Sequence, residues 1–183
     1  MNLWTHFLDN KGRRINKWRH YFPIYERHFS RFVNQSITML EIGVYHGGSM
    51  ELWKRYLGPH AKIVGIDILD VCKKIENPND DQVQIRIGDQ SDPAFLKRVI
   101  DEFGPFDIVL DDGSHMMSHV SKSFECLYHH VTRSGVYAVE DLHTAYWENY
   151  EGGYRREGTF IERCKSMIDE LNAEHTQRAV EPN

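Results

Sequence analysis

The chain has 183 residues, of which 40% are hydrophobic and 27% charged, and its formal net charge is -5. This length fits one domain, and no apolar run approaches the roughly 18 residues that a membrane-spanning helix needs. The acidic balance provides no overall basic surface for nucleic acid, so a small, roughly neutral partner fits better. We therefore expect a single domain that binds neither membrane nor nucleic acid.

The first ten residues and the cysteines both bear on the cellular compartment. The first ten residues contain no basic segment followed by an apolar core, so they predict no secretory signal and a cytoplasmic location. Cys72, Cys126 and Cys164 are widely spaced and odd in number, which argues against a disulfide framework and against a thiolate zinc site. We expect them to be buried or inert thiols.

Along the chain, residues 1–36 predict one or two helices that pack over an end of a sheet. From residue 37, short apolar runs alternate with amphipathic segments, the pattern of repeated βα units and a parallel sheet. Helical spacing follows the first, third and fourth runs, and residues 70–81 predict a short helix that ends in a turn. The candidate strands are residues 37–42, 63–66, 83–87, 108–110 and 136–139.

Beyond residue 141 the pattern changes. Residues 142–158 are rich in aromatic residues, glycine and charge without a clear period, which predicts a long loop that acts as a lid or binding loop. Residues 159–173 predict one helix, and residues 175–183 a tail. We therefore divide the domain into an N-terminal helical cap (1–36), a βα core (37–141), this loop and the C-terminal helix.

The first predicted strand runs into a glycine-rich turn where backbone can approach a ligand closely. Three larger residues separate Gly43 from Gly47, so the dinucleotide fingerprint is not met and NAD or FAD is poorly supported. Asp67, at the end of the second strand, suits hydrogen bonding to ribose hydroxyls. A tight βα turn without a ligand explains the glycines equally well; with Asp67, the turn predicts a nucleotide-like ligand.

Two further strand ends are polar. Glu41 lies in an otherwise apolar strand, where a buried and unpaired carboxylate costs on the order of a few kcal/mol, so we expect it to meet a donor or a cation. Asp89 and Gln90 follow the third strand on the same edge. An N-cap by Ser91 with Pro93 in the first helical turn explains that stretch equally well.

Acidic motifs follow the fourth and fifth predicted strands: DDGSH at residues 111–115 and ED at residues 140–141. If these strands are neighbours, Asp112, His115, Glu140 and Asp141 converge at one edge of the sheet. So many carboxylates repel one another unless a divalent cation or a proton lies among them, which predicts a metal or strongly shifted pKa values. Each motif alone is also explained by an Asx-type turn or a solvated loop start.

Together these motifs resemble class I S-adenosylmethionine-dependent methyltransferases. More narrowly, the chain resembles the metal-dependent O-methyltransferases of macrolide and other natural-product sugars, the mycinamicin and demethylmacrocin methyltransferases, and their cephalosporin hydroxylase-like relatives. The resemblance covers roughly residues 10 to 173 and implies a Rossmann-like, doubly wound, mostly parallel α/β sheet of about five strands. It is carried by EIG (41–43), GGS (47–49), Asp67, Asp89, DDGSH and EDLHTAYW (140–147).

The resemblance also implies roles. Asp112, Glu140 and Asp141 would ligate Mg²⁺ or Mn²⁺, which prefer hard oxygen ligands, and His115 would be the general base. The acceptor would be a hydroxyl of a sugar or glycosylated metabolite. The residues expected to bind S-adenosylmethionine are Glu41, Gly43, Gly47, Asp67, Asp89, Gln90 and Asp111.

Several other side chains have weaker indications. His143 lies close to the expected ligands and would orient one of them, whereas His119 falls in a helical stretch and predicts a surface or packing residue. Tyr146 and Trp147 would stack on a sugar ring or simply pack. His20 and Tyr25 would cover the cofactor.

The chain departs from the family pattern at its C-terminal end. Family members usually continue into a sixth and seventh strand that form a hairpin, but nothing after Leu171 predicts a strand. An exposed edge strand would favour a homo-oligomer. Two alternatives stay open: a non-catalytic cofactor-binding scaffold, and a cephalosporin hydroxylase-like methyltransferase with a non-sugar acceptor.

Overall fold

A five-stranded, all-parallel sheet forms the centre of the protein, with the strand order β3-β2-β1-β4-β5. The computed structural model describes residues 1–175. All five predicted strands are present, and the Rossmann-like α/β fold is confirmed. The strands are Thr38–Ile42 (β1), Lys62–Asp67 (β2), Val83–Ile87 (β3), Phe106–Asp111 (β4) and Val131–Val139 (β5).

The central strands are buried on both faces because successive side chains point to opposite sides of the sheet. In β1, Met39 packs into the layer that contains Trp53 and the N-terminal helices, whereas Leu40 packs into the opposite layer with Phe95. Glu41 follows Met39 by two residues and therefore faces the N-terminal helices. The continuous apolar runs that predicted the strands reflect this two-sided burial.

The helices flank the sheet largely where the sequence places them. Two helices precede β1, and their aromatic side chains pack against one face of the sheet, not only over its end. A short 3-10 helix, Asp70–Ile75, follows β2 as predicted. The α-helices are Leu3–Leu8 (α1), Tyr21–Phe29 (α2), Gly48–Leu57 (α3), Pro93–Phe103 (α4), Met117–Leu127 (α5) and Phe160–Leu171 (α6).

The predicted N-cap of α4 is wrong by one residue. Asp92, directly before Pro93, accepts a hydrogen bond from the Ala94 amide at 2.9 Å. Ser91 lies one residue too early to cap the helix, and its hydroxyl donates to Asp89 Oδ1 at 2.7 Å. The cap therefore moves to Asp92, and Asp89 instead fixes the turn that precedes the helix.

After β5 the chain forms two short 3-10 turns, Leu142–Tyr146 and Glu148–Tyr150, before α6. Within residues 1–175 no strand follows β5, as the sequence predicts. The predicted tail lies outside the described residues from position 176 onward. None of the helices described is both long enough and apolar enough to cross a bilayer.

Candidate cofactor and metal site

A cavity of about 480 Å³ opens at the carboxyl ends of the strands. This volume falls in the range of small-molecule sites, and the position is where ligands bind in open α/β sheets. Seven of the predicted site residues line it: Gly43, Asp67, Asp89, Gln90, Asp112, His115 and Asp141.

The glycine turn forms one wall of the cavity. Gly43 has a φ of +92°, and a Cβ atom there would lie 2.1 Å from the carbonyl oxygen of Asp112. A side chain at this position would therefore force the β1 and β4 loops apart. Gly47 instead precedes α3 as its N-cap, in a left-handed conformation, and does not line the cavity; a Cβ atom there would meet Ile75.

Asp67 holds the glycine turn in place. Its Oδ2 accepts hydrogen bonds from the amides of Val44 and Tyr45, both at 2.9 Å, and its Oδ1 accepts one from Leu69 at 2.9 Å. A carboxylate has about four acceptor positions, so about one stays available for a ligand hydroxyl. The predicted ribose contact is compatible with this geometry, but most hydrogen bonds of the carboxylate hold the backbone of the glycine turn and of the loop after β2.

Gln90 and Asp111 form a buried polar link behind the cavity. Gln90 donates to Asp111 Oδ1 at 3.2 Å and to the Ser123 hydroxyl at 2.9 Å, and it accepts from the Ser114 amide at 2.7 Å. Burial raises the pKa of Asp111 to about 7. Asp111 is 1% exposed and lies behind the cavity wall, so the predicted direct cofactor contact is revised to support of the β4 loop.

Three side chains of types that can ligate a metal meet in the cavity wall: Asp112, His115 and Asp141, which we call the donor triad. One ligand atom from each lies within 4.8 Å of the other two. His115 Nε2 is 3.8 Å from Asp112 Oδ1 and 3.9 Å from Asp141 Oδ2. The sequence predicts this convergence, which arises because Ile42, Asp111 and Val139 align at the ends of adjacent strands.

Glu140, predicted as a third carboxylate ligand, lies outside the donor triad. Its Oε1 accepts hydrogen bonds from Tyr25 Oη at 2.5 Å and from Lys17 Nζ at 2.6 Å. Burial raises the pKa of Glu140 to about 8, against the opposing effect of Lys17. Tyr25 thus contacts an acid of the site but does not line the cavity described. His20 does not line the cavity either; its ring packs beside Tyr21.

Lys17 is the main residue that the sequence interpretation missed. Its ammonium group lies 2.6 Å from Asp112 Oδ2, 2.6 Å from Glu140 Oε1 and 3.4 Å from Glu41 Oε1, and its side chain is 2% exposed. Burial acts to lower the pKa of Lys17, but the carboxylates outweigh burial and raise it above its usual value. The available signal was Glu41, for which a cationic or donor partner was expected.

Glu41 is fully buried, with 0% of its surface exposed, and lies beneath the cavity instead of lining it. Its predicted role as a direct cofactor contact is therefore revised, whereas the expected cationic partner is present. The second oxygen, Oε2, makes no hydrogen bond of normal length, although Ser49 and Trp53 lie close enough to favour its charged form.

Tyr21 and an aromatic cluster surround Asp141. The Tyr21 hydroxyl donates to Asp141 Oδ1 at 2.7 Å and accepts from the Asp141 amide at 3.0 Å. His143 packs between Trp18 and Trp147, and its Nδ1 is 4.0 Å from Asp141 Oδ1, beyond hydrogen-bond distance. Half-exposed aromatic side chains therefore lie next to the donor triad.

His119 also belongs to the cavity wall, contrary to the expectation of a surface or packing residue. Its Nδ1 is 3.0 Å from the Ser114 hydroxyl. Helical periodicity located the residue on α5 but did not show that the first turn of α5 lies beside the cavity.

The sheet order, the glycine turn and the cavity define a class I, Rossmann-like methyltransferase fold. Among solved structures, the methyltransferase MycE from the mycinamycin biosynthetic pathway, in complex with Mg, SAH and mycinamycin VI, matches with a TM-score of 0.83 and 36% identity. The match covers 99% of this chain and 47% of that one. No protein-family model matches the chain.

Within that class, the chain is similar in sequence to O-methyltransferases of mycinamicin and tetracenomycin. It is 40% identical over 177 residues to the mycinamicin VI 2''-O-methyltransferase of Micromonospora griseorubida, which covers 90% of this chain and 42% of the relative. It is 38% identical over 178 residues to a rhamnosyl tetracenomycin C 2'-O-methyltransferase of Streptomyces olivaceus, which covers 91% of this chain and 46% of the relative. The chain thus spans about half the length of the relatives that it matches.

Proposed function

We propose that this chain binds S-adenosylmethionine and Mg²⁺ or Mn²⁺ and methylates a hydroxyl group of a sugar on a glycosylated natural product. The observation that carries the proposal is the donor triad, which lines the same cavity as the glycine turn. Two relatives are named as O-methyltransferases of mycinamicin VI and of a rhamnosyl tetracenomycin C, and MycE was solved with Mg and SAH.

The side chains present fit both groups. Asp112 and Asp141 of the donor triad offer carboxylate oxygens, which suit Mg²⁺ or Mn²⁺, and His115 beside them stays available to accept a proton. The buried ammonium of Lys17 shows that this edge of the sheet accommodates a cation. When bound, S-adenosylmethionine supplies an electrophilic methyl group, and the divalent ion makes a hydroxyl that it contacts more acidic.

His115 is the residue placed to accept the acceptor's proton. Its ring lies between Asp112 and Asp141, whose carboxylates stabilise the positive charge that the ring gains. The two hydrogen bonds between Asp141 and the Tyr21 hydroxyl hold Asp141 in position. The half-exposed Trp18 and Trp147 beside His143 offer apolar faces against which a sugar ring can stack.

The test is a binding measurement followed by an activity assay. We expect calorimetry to show stoichiometric SAH binding, and methyl-labelled S-adenosylmethionine to label a glycosylated macrolide or polyketide but not the matched aglycone. Chelation by EDTA is expected to abolish labelling. Absence of SAH binding would overturn the whole proposal, whereas equal labelling of glycoside and aglycone would overturn the sugar acceptor.

Gly43 provides a direct test of the cofactor wall. We expect Gly43→Ala to weaken SAH binding by about tenfold or more, because the new Cβ would displace the Asp112 carbonyl. Gly158→Ala is the matched control, since Gly158 has a similar φ of +84° but nothing within 4 Å of its Cβ position. Calorimetry on both variants separates the effect of the clash with Asp112 from the effect of placing alanine at a positive φ. An equal loss of SAH affinity in Gly158→Ala would contradict a local role for Gly43.

A further inference from the structure

The carboxylates at the edge of the sheet outnumber the cations that the described residues bring to them. Glu41, Asp112, Glu140 and Asp141, which we call the acidic cluster, come from β1 and from the loops after β4 and β5. Within the described residues, Lys17 is the one lysine or arginine whose charged group lies within 4.0 Å of any of these four.

Asp112 stands at the boundary between two groups of donors. Its Oδ2 faces Lys17 at 2.6 Å, on the buried side that also contains Glu41 and Glu140. Its Oδ1 faces His115 at 3.8 Å, on the cavity side that also contains Asp141. One carboxylate thus serves both the internal ammonium group and the donor triad.

A divalent ion at the donor triad would use Asp112, and one that also used Glu140, as the sequence predicts, would need a second carboxylate that Lys17 already holds. Mg²⁺ binds carboxylate oxygens at about 2.0 to 2.1 Å and demands regular geometry. The ammonium group already holds Asp112 Oδ2 and Glu140 Oε1, both at 2.6 Å. A divalent ion that draws on Asp112 and Glu140 therefore has to weaken these bonds or repel the ammonium group.

We propose that Lys17 is a built-in cation that competes with the divalent ion for Asp112 and Glu140 and thereby limits the affinity of the site for metal. Glu41 makes this competition reversible. It is fully buried and lies 3.4 Å from the ammonium, so Lys17 keeps one ionic partner when the other two are taken. The inference rests on the proposed function in one respect, the presence of a metal site.

Lys17 would also keep the fold intact when no metal is bound. Three carboxylates with little exposure would repel one another without a cation, which destabilises the folded state. When no divalent ion is bound, the Lys17 ammonium group supplies the positive charge that offsets this repulsion. Loss of Lys17 is therefore expected to make the stability of the protein depend on the divalent ion.

The test compares Lys17→Met with wild type in the presence of SAH, using Mn²⁺ as the probe. We expect calorimetry to show Mn²⁺ binding to Lys17→Met at least about tenfold tighter than to wild type. We also expect a lower Tm in EDTA and a larger rise on addition of Mn²⁺. Lys97→Met is the matched control, because Lys97 is 72% exposed and pairs with Asp101.

Unchanged Mn²⁺ affinity in Lys17→Met would overturn the proposal, as would loss of Mn²⁺ binding in a variant that still folds. Lys17→Gln, which is neutral but can donate to one carboxylate, serves if Lys17→Met does not fold in EDTA. Folding of either variant on addition of Mn²⁺ supports the proposal. If neither Lys17→Met nor Lys17→Gln folds in the presence of Mn²⁺, the role of Lys17 is purely structural and the proposal is overturned. SAH binding by wild type reports separately on the proposed function.

Discussion

Replacement of His115 with asparagine is expected to lower kcat for methyl transfer by about 10²- to 10⁴-fold, the usual contribution of a general base. Asparagine is the informative substitution because His115 has a φ of +58°, a left-handed conformation that asparagine adopts more readily than alanine or glutamine. The backbone then keeps its path, and the variant loses only the proton-accepting ring. Affinities for SAH and for Mn²⁺ are expected to persist.

The measurement is steady-state transfer of labelled methyl groups, with calorimetry for SAH and Mn²⁺. His129→Asn is the matched control, since His129 is exposed in the 3-10 helix Tyr128–His130 and lies outside the cavity wall. Unchanged turnover in His115→Asn would rule out the proton-accepting role. Loss of Mn²⁺ affinity together with turnover would instead identify His115 as a metal ligand.

The second large effect is expected from Asp141→Asn. Asp141 also has a left-handed backbone, with a φ of +53°, so asparagine is again well tolerated, and its side-chain oxygen can keep the hydrogen bond from Tyr21. The substitution removes one negative charge from the donor triad. We expect Mn²⁺ affinity to fall about tenfold or more and methyl transfer to fall with it.

Calorimetry with Mn²⁺ in the presence of SAH checks this result, and SAH affinity itself is expected to stay at the wild-type value. Glu148→Gln provides a control for charge alone, because Glu148 is exposed on the same loop and outside the cavity wall. Wild-type Mn²⁺ affinity in Asp141→Asn would show that this carboxylate is not a ligand.

Much of the fold could be predicted because it depends on short-range patterns. Parallel strands buried on both faces give continuous apolar runs, and the acids at their ends, such as Asp112 and Asp141, mark the edge where ligands bind. Once the strands were placed, the meeting of the DDGSH and ED motifs followed from the adjacency of β4 and β5.

The remainder of the site could not be predicted because it depends on pairings between distant parts of the chain. Lys17 lies in a basic segment before the sheet, and nothing local shows that its side chain enters the core. Glu41 and Asp111 lie close to strand ends, as the cavity-lining acids do, but their side chains point into the two opposite layers. The end of a strand fixes where a carboxylate residue lies, but the alternation of side chains along the strand decides which face of the sheet the carboxylate points to.

The bonds of Lys17 also connect the site to the folding reaction. The ammonium group joins residues that are 24, 95 and 123 positions away along the chain. Such contacts close large loops, whose entropic cost is recovered only when most of the native chain is in place. The ionic centre is therefore complete only when β1, the loops after β4 and β5 and the segment before α2 all occupy their native positions.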